Sequence, residues 1–300
     1  MRQGGPVVVG FDGSESAVTA AQWAAGEAKS RGVALQLIHA FTPPVGGLGV
    51  GYATAVGTDI IDQLREGAQV AVDGAAATLR EANPGVEVTT NVVIGNPSGA
   101  LIDASAGASL VAVGSRGLGG FRGLLLGSVG VQVATHAECP AVVLRGAAPA
   151  GASQVVVGID GSQMARDALA FAFDIASRRG WDLIALHAWD VPSSDVLAAP
   201  NGPAPVTLAQ MGDTETRTTA EALAGYRETY PDVDVEERVV KGTTVKAILK
   251  AAEGAALIVV GSRGRGEVAG AILGSVSQGI LHKAKVPVAV VHHVSGEGDA

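Results

Sequence analysis

The stretch "VVVGFDGSESA" at residues 7–17 returns as "VVVGIDGSQMA" at residues 155–165, an offset of 148. Three consecutive valines read as a short strand buried on both faces, because a strand with one wet face alternates apolar and polar. Asp-Gly-Ser then reads as a turn. Alanines follow at helical spacing: Ala17, Ala20, Ala21, Ala24, Ala25 and Ala28. The second copy carries the same stripe as Ala165, Ala168, Leu169, Ala172, Phe173 and Ala176. A buried strand leading straight into an amphipathic helix is half of a βαβ unit, and here it occurs twice.

The rest of the chain follows the same duplication. "LQLIHAF" (35–41) answers "LIALHAW" (183–189), and "CPAVVL" (139–144) answers "VPVAVV" (286–291) at an offset of 147. Two copies of one unit are therefore expected, at residues 1–146 and 153–294. The small residues of "RGAAPAGASQ" (145–154) form the join. Within each unit, a second strand (33–40; 181–188) leads to a long helix (58–82; 207–229). A third strand (86–94; 234–240) and a short helix come next. The fourth strand, "SLVAVG" or "ALIVVG", precedes a last helix and the fifth strand. Alternating apolar strands and helices specify a parallel sheet covered on both faces. The fold class is α/β: two tandem Rossmann-like domains, each a five-stranded parallel sheet of order 3-2-1-4-5 with helices on both faces.

Composition narrows the function. A net charge of −8 and the lack of a Lys/Arg cluster argue against binding nucleic acid through its phosphates. No apolar run is long enough to cross a bilayer and no signal peptide is evident, so no membrane association and a cytoplasmic location are expected. The single cysteine, Cys139, forbids an intrachain disulfide and reads as a packing residue, with Val286 at its position in the second copy.

The chemistry concentrates in a second repeated phrase, "VGSRGLGGFRGLLLGSVG" (113–130) and "VGSRGRGEVAGAILGSVS" (260–277). Each contains Gly-x2-Gly-x9-Gly-Ser: Gly114, Gly117, Gly127 and Ser128, then Gly261, Gly264, Gly274 and Ser275. In an open α/β sheet, ligands bind beyond the carboxyl ends of the strands where the strand order reverses. The first and fourth strands meet there, bringing Asp12 or Asp160 opposite the glycine loop. Glycines let backbone N–H groups approach an anion, and Gly-Ser opens a helix whose amino end favours phosphate. Asp12 and Asp160 would accept from a ribose hydroxyl or an adenine amino group. The plainer reading makes the glycines simple turns and the serine a cap; the duplication and the facing aspartate favour phosphate. Arg116 and Arg263 fit either phosphate contact or a solvated loop. His39 and His187 read as packing histidines, and loops 42–57 and 190–206 as crevice lids or mobile connections. The second phrase places Ser277, a further phosphate hydroxyl, where the first has Gly130. No metal-ligand spacing, nucleophile elbow or P-loop lysine is present.

On "VVVGFDGS", "VVVGIDGS" and the two complete glycine phrases, nearly the whole chain resembles the universal stress protein family. The resemblance is to its tandem, ATP-binding branch, whose fold is the adenine nucleotide alpha hydrolase-like kind. It implies ATP as ligand, with Mg2+, Asp12 and Asp160 near the adenosine, and the glycines and Ser128/Ser275 on ribose and phosphates. Phe41 and Trp189 lie in the neighbourhood of the base. The resemblance further implies pairing through fifth strands, a homodimer of tandem chains, and an unidentified protein partner. A nucleotide-dependent regulator or sensor of stress adaptation is the function expected. The alternatives are a slow ATPase or phosphotransferase, and a nucleotide-independent interaction module.

Overall fold

The computed structural model describes residues 4–42, 58–118, 126–189, 208–264 and 273–293. It divides into two compact units, the first running to Ala147 and the second spanning Ala148–His293. In the first, strands β1 (Val7–Gly10), β2 (Leu35–Phe41), β3 (Val88–Ile94), β4 (Leu110–Gly114) and β5 (Ala141–Leu144) lie in the order β3-β2-β1-β4-β5. All four pairings are parallel. The second repeats this as β8-β7-β6-β9-β10, again all parallel. Its strands are β6 (Gln154–Ile159), β7 (Asp182–Trp189), β8 (Val235–Lys241), β9 (Leu257–Gly261) and β10 (Val288–Val291).

Helices connect these strands. The first unit carries α1 (Glu15–Arg31), α2 (Thr58–Ala82), α3 (Pro97–Ser105) and α4 (Ser128–His136). The second carries α5 (Gln163–Arg179), α6 (Leu208–Thr229), α7 (Thr244–Ala251) and α8 (Ser275–Lys283). Val7, Val8 and Val9 are each 0% exposed, and so are Val155, Val156 and Val157. Since neighbouring residues of a strand face opposite sides, both faces of each sheet are covered.

The alanine stripe of α1 is buried at all six expected positions against β1 and β4. So is the matching stripe of α5. Small residues let these helices approach the sheet closely, which matters at the site below. Gly32 and Gly180 end the two helices in the left-handed conformation (φ 67° and 62°). One buried residue of α1 escapes the apolar pattern. Glu27 is fully buried and pairs with Arg31 at 2.6 Å, whereas α5 has Ile175 in that register.

The sheet order reverses between β1 and β4, where Val9 pairs with Ala112 on one side and Leu37 on the other. Beyond the carboxyl ends of these strands a cavity opens in each unit.

Candidate nucleotide site

Each cavity grows from three short local structures. The first is Asp-Gly-Ser. Asp12 Oδ1 accepts from the Ser14 amide at 3.0 Å, and Asp160 Oδ1 from the Ser162 amide at 2.9 Å. Gly13 and Gly161 take φ of +82° and +78°, which the turn requires and a side chain would resist. Ser14 and Ser162 then cap α1 and α5, accepting from the amides of Ala17 and Ala165 at 3.2 Å. Every residue of the repeated tripeptide is thus committed to turning a strand into a helix, with the carboxylate left at the strand end.

The second is the glycine loop after β4 or β9. The Asp12 carboxylate lies on this loop: Oδ2 accepts from the Leu118 amide at 2.9 Å. A Cβ on Gly117 would collide with that same Oδ2, and a Cβ on Gly264 would lie 2.5 Å from Asp160 Oδ2. The second glycine of each phrase exists to admit the aspartate. The first has a different reason. A Cβ on Gly114 would meet Ser16 backbone atoms at 2.8 Å, and one on Gly261 the Met164 carbonyl oxygen at 2.9 Å. Close approach of α1 or α5, rather than access for an anion, demands glycine there.

The third is the amino end of α4 or α8. Gly127 and Gly274 occupy the N-cap and offer no side-chain cap. Their own amides are spent on the carbonyls of Ser115 and Ser262 at 2.8 Å. The amides of the first helical turn, which have no intrahelical acceptor, are what this end presents to an anion. Ser128 and Ser275 line the cavities at these helix starts.

The structure brings all ten predicted residues to two cavities. Asp12, Gly114, Gly117, Gly127 and Ser128 line one of about 340 Å³. Asp160, Gly261, Gly264, Gly274 and Ser275 line one of about 460 Å³. Both volumes suit a small-molecule ligand. Arg116 and Arg263 line their cavities beside the glycines. Pro97 at the start of α3 lines the first cavity where Thr244 of α7 lines the second. Among the described residues no group of three or more His, Cys, Asp or Glu is placed to hold a metal ion.

Other expectations need revision or sit outside the description. Ser277 lines the second cavity but is 3% exposed, and its hydroxyl donates to the Gly261 carbonyl at 2.6 Å, so its hydrogen is spent bracing α8 against β9. The histidines are satisfied as expected: Nδ1 of His39 and of His187 each donates to the carbonyl before the aspartate, at 2.8 Å. Trp189 lines the second cavity, while Phe41 is absent from the lining of the first and lies 6.1 Å from His39, ring to ring. The suggested lids fall, apart from Thr42, outside the described residues, as do 119–125 and 265–272 of the glycine phrases.

Two contributors were not foreseen. The hydroxyls of Ser14 and Ser16 both donate to the Arg116 carbonyl, the former at 3.2 Å, tying the start of α1 to the first glycine loop. The second unit has Met164 in place of Ser16, so only Ser162 keeps a hydroxyl there. Glu215 of α6 lines the second cavity and meets His187 Nε2 at 2.9 Å. Neither was visible in the sequence, because each acts across a long sequence separation from an otherwise unremarked helix position.

Relatives agree with this duplicated architecture. Residues 5–145 and 152–292 each match the universal stress protein family. A universal stress protein of Mycolicibacterium smegmatis is 37% identical over 295 residues, covering 95% of this chain and 96% of that protein. One from Mycobacterium tuberculosis is 34% identical, with 95% of each chain covered. The crystal structure of a universal stress protein from Archaeoglobus fulgidus superposes with a TM-score of 0.71 at 25% identity, over 97% of this chain and 99% of that one. The chain belongs to the universal stress protein family, with two family domains in tandem.

Proposed function

We propose that each unit binds ATP, with Mg2+ arriving on the nucleotide, and that occupancy of the two sites makes the protein a regulator or sensor in stress adaptation. One observation carries this reading: in both units the strand-end aspartate abuts the glycine loop within a cavity that also contains the open amino end of a helix. Phosphates fit the glycine and helix-terminus side, where backbone amides and Arg116 or Arg263 supply donors without a Cβ in the way. The Asp12 or Asp160 carboxylate accepts from a ribose hydroxyl on the nucleoside side. Because the aspartate also meets the loop, ligand contact at the carboxylate reaches the loop backbone directly. That coupling is the basis of a nucleotide-dependent surface for a protein partner or for a second tandem chain.

The test is to denature the purified protein, identify any released small molecule by mass spectrometry, and titrate the stripped protein with MgATP by calorimetry. An adenine nucleotide in the supernatant, or two binding events per chain, is expected. Absence of both at millimolar nucleotide overturns the reading.

A further inference from the structure

The two cavities match at the glycine loop and differ at the opposite end, beyond β2 or β7. His39 and His187 hold the same Nδ1 bond to the carbonyl preceding the aspartate, but their outer nitrogens face different surroundings. His187 Nε2 meets Glu215 Oε2 at 2.9 Å, and the Glu215 side chain, 30% exposed, lines the second cavity. The helix ends Ala82 and Thr229 match at the repeat offset of 147, so the position of Glu215 is Ala68 in α2. The first cavity is lined at this end by Ile38 and Ala40.

The bond geometry leaves one oxygen of Glu215 available. A carbonyl oxygen only accepts, so Nδ1 of His187 donates to Ile159, and Nε2 engages Oε2 of Glu215 at 2.9 Å. Oε2 is committed; Oε1 is an acceptor with no protein partner among the described residues, on a side chain that lines the cavity. The cavity is therefore polarised. The amino end of α8 and Arg263 lie at the β9 end, Asp160 abuts the glycine loop, and Glu215 with the Trp189 ring lies at the β7 end. A phosphate finds its donors in the first turn of α8 and in Arg263, not beside Glu215. A nucleotide laid along the cavity thus turns its base toward Glu215.

We propose, resting on the nucleotide reading above, that Glu215 is the base-specificity residue of the second site. Its Oε1 accepts from the exocyclic amine of an aminopurine, which makes this cavity select ATP over a purine nucleotide lacking that amine. The first cavity, with Ala68 at the position, makes no such selection. Losing the amine strands a carboxylate acceptor at the site, whereas an alanine has nothing to strand.

The experiment titrates the full chain with MgATP and with purine riboside triphosphate, which differs only in lacking the 6-amino group. Trp189 fluorescence, read in a Trp23→Phe/Trp181→Phe background, reports the second site and calorimetry reports both. The second site should prefer ATP by about tenfold, and the first by less than about twofold. In Glu215→Ala and in Glu215→Met, neither of which offers an acceptor, the two nucleotides should bind the second site alike. A discrimination ratio is unmoved by a merely structural loss, and the methionine variant serves if the alanine variant misfolds. Equal binding by the wild type, or preference retained in both variants, overturns the assignment while leaving the nucleotide reading intact. Failure of both nucleotides to bind overturns the two together.

Discussion

Asp12 accepts a hydrogen bond from the Leu118 amide at 2.9 Å across 106 positions of sequence. This one contact joins the end of β1 to the loop after β4, and it explains why Gly117 has no side chain, since a Cβ there would strike the same carboxylate oxygen. Asp12 and Gly117 therefore form a single device. Asp12→Ala and Gly117→Ala should each weaken ATP binding at the first site by about tenfold. The double variant should lose little more than either alone. Calorimetric affinities of the three proteins check this; additive losses would mean that the two residues act separately.

Gly114 and Gly261 face an obstacle of another kind. Their added Cβ would meet backbone atoms of Ser16 and Met164 at 2.8–2.9 Å, and backbone cannot swing aside as the Asp12 carboxylate can. Gly114→Ala and Gly261→Ala should each destabilise their own unit by about 1–3 kcal/mol. Urea unfolding reads the loss, which should exceed that of Gly117→Ala.

The Ser277 hydroxyl, donating to Gly261 at 2.6 Å with 3% exposure, is a structural brace. Ser277→Ala should cost about 1 kcal/mol of stability and leave ATP affinity at the second site unchanged. A large loss of affinity without loss of stability would restore a phosphate role to this hydroxyl.

Burial pushes the Cys139 thiol up from 9.0 to about 12. The folded protein should therefore resist a thiol reagent at about pH 8 and react with it fully in denaturant, as timed absorbance traces would show. The sign of the linkage follows from the raised value. Between pH 9.0 and about 12 the unfolded chain releases the thiol proton and the folded chain keeps it. Stability from this group is present below pH 9.0 and falls through that window. Cys139→Val, which installs the side chain of its counterpart Val286, should flatten that fall in urea titrations across the window.

The duplication, the succession of strands and helices and the ten glycine-loop, helix-start and aspartate positions of the two cavities are legible in the amino-acid order because they rest on local or periodic rules. Valine runs mark buried strands, and the Ala17–Ala28 stripe marks a helix face. A strand-end aspartate and a glycine phrase must meet wherever a five-stranded parallel sheet reverses its order. What each residue of the phrase is for emerges only once the chain is folded. Gly114 yields to the backbone of α1, Gly117 yields to a carboxylate, the Gly127 amide is spent on Ser115, and Ser277 turns inward. Folding also brings Glu215, lying in α6 with no motif around it, to His187 at the second cavity, while Ala68 leaves the first without a carboxylate. Such contacts join residues distant in sequence. Their partners are set by how closely a helix approaches a strand, a distance that neither periodicity nor spacing encodes.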